Sequence, residues 1–159
     1  FQAEDGIRDI HSWLEFRRVL FRSKRDEAID ICVGIDASGS IDQQTLKEFL
    51  SEVAGIMQQY DDYQIHVWSY DTQVYNVEVY RADEGRDIAS YQAKGGGGTD
   101  FNASYEYMKE NDIVPKTYLN FTDLYPCGSF GDESYCDTIF VACKNAAKQD
   151  APFGITIRL

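Results

Sequence analysis

The sequence predicts a doubly wound α/β domain built on a mostly parallel sheet of about six strands, one of them an antiparallel edge. Three features carry that expectation. Residues 31–35 (Ile-Cys-Val-Gly-Ile) form an apolar run that stops at Asp36, the pattern of a strand buried on both faces of a parallel sheet. A second run, residues 117–123, also ends on a carboxylate, Asp123. Between the first run and the next strand pattern, Leu46, Phe49, Val53, Ile56 and Tyr60 recur at helical spacing, as expected of a crossover helix that buries one stripe.

Taken in order, residues 1–23 stand apart. Gln2-Ala3-Glu4-Asp5-Gly6-Ile7-Arg8-Asp9, and the stretch from Leu14 to Ser23, resemble the conceptual translation of a sequencing-library adapter with an index between its parts. Such a remnant is set aside before fold reasoning, because read as protein it imitates a basic amphipathic helix. The folded domain is therefore expected to span residues 24–159, with the native N-terminus lost and no conclusion about a signal peptide. Four of the chain's 27 acids and four of its 15 basic residues lie in the excluded segment. That leaves 23 and 11, so the net charge of −12 belongs to the domain. This balance argues against nucleic acid or an anionic membrane as partner, because phosphate neutralisation needs clustered Lys and Arg. No apolar run approaches the roughly 18 residues of a membrane span.

After the first strand, Asp36-Ala37-Ser38-Gly39-Ser40 offers one carboxylate and two hydroxyls from a single turn, a donor set suited to a hard cation such as magnesium. The same residues admit a purely structural reading: Asp36 and Ser38 satisfying turn amides, and Ser40, three residues before Gln43, capping the helix. Residues 63–70 then alternate, and Asp71-Thr72-Gln73 is too short for a crossover, so residues 74–80 must return antiparallel as an edge. His66, in mid-strand, reads as a packed or solvent-facing residue rather than a ligand.

Residues 81–94 read as a short helix and loop leading to Gly95-Gly96-Gly97-Gly98-Thr99. The run lacks the Gly-Lys-[Ser/Thr] ending of a phosphate loop. Its glycines instead let the backbone approach closely and bring the Thr99 hydroxyl to the first loop, while Asp100 either supports the site from behind its ligands or, the favoured reading, caps a helix over about 102–110. Beside the first strand, the 117–123 strand brings Asp123 toward Asp36. Carboxylates at neighbouring strand ends repel unless a cation or hydrogen bonds intervene. The 124–137 loop, with Pro126, Gly128 and Gly131 among aromatics, forms a candidate recognition rim. Residues 138–143 and 154–159 complete the sheet, with little room for a helix over 144–153. Cys32, Cys127, Cys136 and Cys143 contain no C-x-x-C pair. Cys32 and Cys143 read as small buried hydrophobes. Cys127 and Cys136 bracket the rim, but a domain of this size needs no such staple; free thiols and a cytoplasmic location are expected.

The Asp36–Ser40 motif resembles the D-x-S-G-S opening of the metal-ion-dependent adhesion site (MIDAS) of von Willebrand factor type A (VWA) domains. Residues 95–101 and Asn120-Phe121-Thr122-Asp123 match that family's two later segments, in its order, and the resemblance covers residues 30–159. The ending, residues 152–159, resembles a bacterial and phage branch in which a VWA-like domain lies C-terminal to a metallopeptidase-like region. Leu124 stands where the family usually has Gly. The resemblance implies a Rossmann-like, VWA-like fold with Mg2+ or Mn2+ held by Asp36, Ser38, Ser40, Thr99 and Asp123. It also implies a partner protein whose Asp or Glu completes the coordination sphere, with a MoxR-type AAA ATPase as a further candidate partner.

Two enzymatic alternatives compete with this binding module. A phosphotransferase of the haloacid dehalogenase type wants a second acid two residues after the first, where this chain has Ser38. A larger metal-dependent hydrolase with its catalytic domain upstream fits the branch better. No H-E-x-x-H helix is present to place peptidase chemistry in these residues, so the isolated domain is not expected to be an enzyme.

Overall fold

The computed structural model describes residues 29–159; residues 1–28, including the segment read as adapter, lie outside the described residues. The elements are β1 (Ile29–Asp36), α1 (Gln43–Met57), β2 (Tyr63–Tyr70), β3 (Val74–Arg81), α2 (Asn102–Glu110), β4 (Thr117–Thr122), β5 (Asp137–Ala142) and β6 (Ile155–Arg158). They form one six-stranded sheet in the order β3-β2-β1-β4-β5-β6. Only β2 and β3 pair antiparallel; β1–β2, β1–β4, β4–β5 and β5–β6 are parallel.

From β1 the chain winds outward through β2 and β3, then returns to lay β4 on the other side of β1. That reversal opens a crevice beyond the carboxyl ends of β1 and β4, where open α/β sheets bind ligands. The register places it: Asp36 lies opposite Tyr70, and Ile35 lies opposite Phe121. Thr122 and Asp123 therefore follow at the level of Asp36.

From Ile31 to Ile35 β1 is apolar because each of its faces meets a core. Ile31, Val33 and Ile35 pack with Phe49, Val53 and Ile56 of α1. Cys32 faces the opposite core, with Trp68, Tyr118, Phe140 and α2 residues Tyr105 and Met108. Burying each such large side chain contributes about 1.5–3 kcal/mol. Gly34 belongs to this packing: a Cβ there would stand 2.1 Å from the Tyr118 hydroxyl, so the ring of β4 occupies the space a side chain would fill.

Two local features differ from the sequence expectation. Helix α1 is capped by Asp42, whose Oδ1 accepts the Thr45 amide at 2.7 Å, and not by Ser40; the Ser40 hydroxyl is turned to Asp123 instead. Residues 81–94 form two 3-10 turns, Ala82–Glu84 and Ile88–Ser90, of which the second anchors Ile88 in the α1-side core. The β4–β5 connection is a loop, as expected. Phe130 from that loop meets Phe101 and Phe140 at ring-centroid distances of 5.5 and 5.8 Å. Among the described residues no helix is long and apolar enough to cross a membrane.

Candidate metal centre

β1 delivers Asp36 to the crevice with no exposed surface. Its Oδ1 accepts the Ser38 amide at 2.9 Å, and its Oδ2 accepts the Thr122 hydroxyl at 2.7 Å. Ser38 Oγ lies 3.2 Å from Ser40 Oγ, and the Ser40 hydroxyl donates to Asp123 Oδ2 at 2.5 Å. Asp36, Ser38, Ser40 and Asp123 thus form one hydrogen-bonded cluster bridging the ends of β1 and β4.

Thr99 arrives on the glycine run. The Gly39 amide donates to the Gly97 carbonyl at 3.1 Å, and a Cβ on Gly95 would stand 2.5 Å from the Ala37 carbonyl oxygen. A side chain at residue 95 would push the loop off the D-x-S-G-S turn. Thr99 is 4% exposed, and Asp100 accepts the Asn102 amide at 2.9 Å, serving the start of α2 as expected.

The cluster is electrostatically costly as it stands. Burial, reinforced by the charge of Asp123, raises the Asp36 pKa above the ordinary carboxylate range, while bonds from Ser38 and Thr122 oppose the shift. A bound dication favours the charged form of both acids and removes this cost. Among the described residues no three His, Cys, Asp or Glu side chains converge to hold a metal; the linked set here is two carboxylates and two serine hydroxyls, and the buried Thr99 makes no hydroxyl bond to it. Such an all-oxygen set fits a hard cation that keeps several waters, as magnesium does when held by one or two carboxylates. His66, half-buried beside Gln64, pairs with Cys32 four residues before the Asp36 level, about 13 Å back along the strand.

Three neighbours escaped the sequence reading. Thr122 looks like any β-branched strand residue, yet it is fully buried and neutralises an Asp36 oxygen. Asp71, read as part of a hairpin turn, is 4% exposed and accepts the Gly97 amide at 3.0 Å. Cys127, a free thiol like Cys136, accepts the Thr99 amide at 3.4 Å. Position alone could have flagged Asp71, since it directly follows β2 at the edge that carries Asp36. Leu124 adopts φ +61°, the left-handed conformation that glycine enters without cost. Leu124 thus holds a backbone conformation that glycine would also take, with its side chain buried in the α2-side core.

Residues 31–159 match the family described as VWA-like domain (DUF2201). No curated protein matches the chain. Among solved structures, the fold is similar to BatB, a conserved hypothetical protein from Bacteroides thetaiotaomicron. That match has a TM-score of 0.58 at 9% identity and covers 83% of this chain and 90% of that one. It is also similar to the ArnB paralog VWA2 from Sulfolobus acidocaldarius, with a TM-score of 0.56 at 14% identity over 74% of this chain. The chain spans 35% of the length of that archaeal protein. At these identities the two structures speak to the fold, and the family match covers most of the sequence: the chain belongs to the VWA-like domain family.

Proposed function

We propose that this domain binds a partner protein through a magnesium or manganese ion held by Asp36, Ser38, Ser40, Thr99 and Asp123. The observation that carries the reading is the linked cluster of two carboxylates and two serine hydroxyls at the mouth between β1 and β4. Hydroxyl ligands add no charge, so an ion held by two carboxylates and neutral oxygens stays electrophilic. An Asp or Glu of the partner then completes its coordination sphere. The rim that follows Asp123 suits this role: Tyr125, next to the cluster, is 59% exposed, the kind of large aromatic enriched in protein interfaces. A MoxR-type AAA ATPase is one candidate partner.

Binding rather than turnover is favoured by the chemistry of the cluster, whose groups are oxygen ligands with no His or Lys among them to act as a base near neutral pH. The test is titration of manganese into the metal-stripped domain, following the paramagnetic signal of the free ion. One saturable site is expected, lost in Asp123→Ala and perturbed by a peptide carrying a glutamate. Failure of the wild-type domain to bind would contradict the proposal.

A further inference from the structure

Two residues of the glycine segment are tied to the same aspartate. The Gly97 amide donates to Asp71 Oδ2 at 3.0 Å, and the Asp100 amide donates to the Asp71 carbonyl at 2.8 Å. Thr99 lies between the two points. Gly97 is also bonded on its other side, its carbonyl accepting the Gly39 amide of the D-x-S-G-S turn at 3.1 Å. Asp71 Oδ1 meanwhile accepts the amides of Thr72 and Gln73, which fixes the carboxylate before it reaches the loop. Thr99 is held from the opposite side by Cys127, whose thiol accepts its amide and whose own amide donates to its carbonyl at 2.8 Å.

From this geometry we infer that Asp71, though not a ligand, is the positioning residue that holds residues 97–100, and with them the Thr99 hydroxyl, in register with the Asp36–Ser40 turn. The inference rests on the cation reading of the site. Glycine-rich backbone has the largest conformational entropy to lose on ordering, so a run of four glycines has no preference of its own for the shape that brings Thr99 in. Asp71 supplies it by making one rigid strand end the anchor for both sides of the threonine. The two groups are closely packed: a Cβ on Gly97 would stand 3.0 Å from Asp71 Oδ2, so the carboxylate sits directly against the peptide it holds. Burial alone would raise this carboxyl, but the amides of Gly97, Thr72 and Gln73 outweigh it and hold it below the usual range.

The test compares wild type with Asp71→Ala, Asp71→Asn, Thr99→Ala and the Asp71→Ala/Thr99→Ala double variant. Two quantities are read: the manganese dissociation constant, and amide exchange of residues 97–100 in chelator. Asp71→Ala is expected to weaken manganese about ten- to a hundredfold, as removing groups that orient ligands does, and to speed exchange at 97–100 while β1 and β4 amides stay protected. Asp71→Asn, which keeps an oxygen acceptor for the Gly97 amide, should recover part of the loss. Once Thr99 is Ala, removing Asp71 should have little further effect on the ion, because the two act as one unit. Wild-type affinity in Asp71→Ala, or losses that simply add in the double variant, would overturn the inference. Should the wild-type domain bind no manganese, the cation reading fails and exchange alone decides: accelerated exchange at 97–100 in Asp71→Ala sustains the clamp, and unchanged protection removes it. If Asp71→Ala does not fold, Asp71→Asn carries the same comparisons.

Discussion

Replacing Thr122 by valine isolates the hydrogen bonding around Asp36 from everything else in the cluster. Valine keeps the shape and the strand preference of threonine and removes one hydroxyl. That hydroxyl has two buried duties: it donates to Asp36 Oδ2 at 2.7 Å and accepts the Leu124 amide at 3.1 Å. A hydrogen bond to a charged group contributes about 1.5–3 kcal/mol, and leaving a buried amide without an acceptor costs about 1–3 kcal/mol. Partial relaxation of the loop makes the two less than additive, so a loss of about 2–4 kcal/mol is expected. For a domain of this size that lowers the melting temperature by roughly 4–16 °C. Thr122→Ser is the control, since it keeps the hydroxyl and gives up one methyl, about 0.8 kcal/mol. Urea and thermal unfolding in chelator read both. Valine within about 0.5 kcal/mol of wild type, or no worse than serine, would refute the view that Thr122 stabilises a buried ionised Asp36.

Other perturbations act on the same packing and hydrogen bonds. Gly34→Ala should destabilise by about 1–3 kcal/mol through overpacking, because its Cβ meets the Tyr118 hydroxyl; adding Tyr118→Phe should return part of that loss in urea unfolding. At Leu124, with φ +61°, the usual order of small residues should invert: Leu124→Gly is expected to be about 1 kcal/mol more stable than Leu124→Ala, and the opposite order would show that the backbone there is not left-handed. Asp36 gives a pH dependence whose sign is set by its raised folded pKa. In chelator its protonated form favours the folded state, so its contribution is full below the unfolded value near 3.9 and is lost as pH rises through the folded value. Urea midpoints between about pH 4 and 8 should fall for wild type relative to Asp36→Asn, and magnesium should shrink the difference. In metal-free protein, Asp123→Ala removes the repulsion with Asp36 but also the bonds from Ser40 and the Tyr125 amide. Asp123→Asn keeps an oxygen acceptor and is expected to melt higher than the alanine variant.

The sheet was legible where periodicity and loop length leave one solution. An apolar run ending in Asp36 had to be a central strand, and a three-residue turn after residue 70 forced the antiparallel edge. The start of α2 was legible in the stripe of 102–110, although its cap position falls on Phe101, which makes no side-chain cap bond, and Asp100 accepts only the Asn102 amide. Ser40 was read as a candidate cap because Ser40-x-x-Gln43 and Asp42-x-x-Thr45 have the same spacing. A local pattern cannot show that the Ser40 hydroxyl finds Asp123 on another strand. Thr122 and Asp71 were missed for the same reason: their partners, Asp36 and Gly97, are distant in sequence and meet only when β4 pairs with β1 and the glycine loop is drawn over the end of β2. Leu124 was the reverse case, a departure from the motif visible in the sequence whose backbone conformation only the structure supplies.

The central claim is that Asp36, Ser38, Ser40, Thr99 and Asp123 together hold a divalent cation. Melting curves of the wild-type domain in chelator and in millimolar magnesium or manganese test it most directly. A ligand bound to the folded state alone, at a hundred times its dissociation constant, stabilises by about 2.7 kcal/mol, so the midpoint should rise by roughly 5–11 °C and the rise should vanish in Asp123→Ala. Equal midpoints with and without either metal would mean that the Asp36–Ser40 loop and its hydroxyls serve the fold alone.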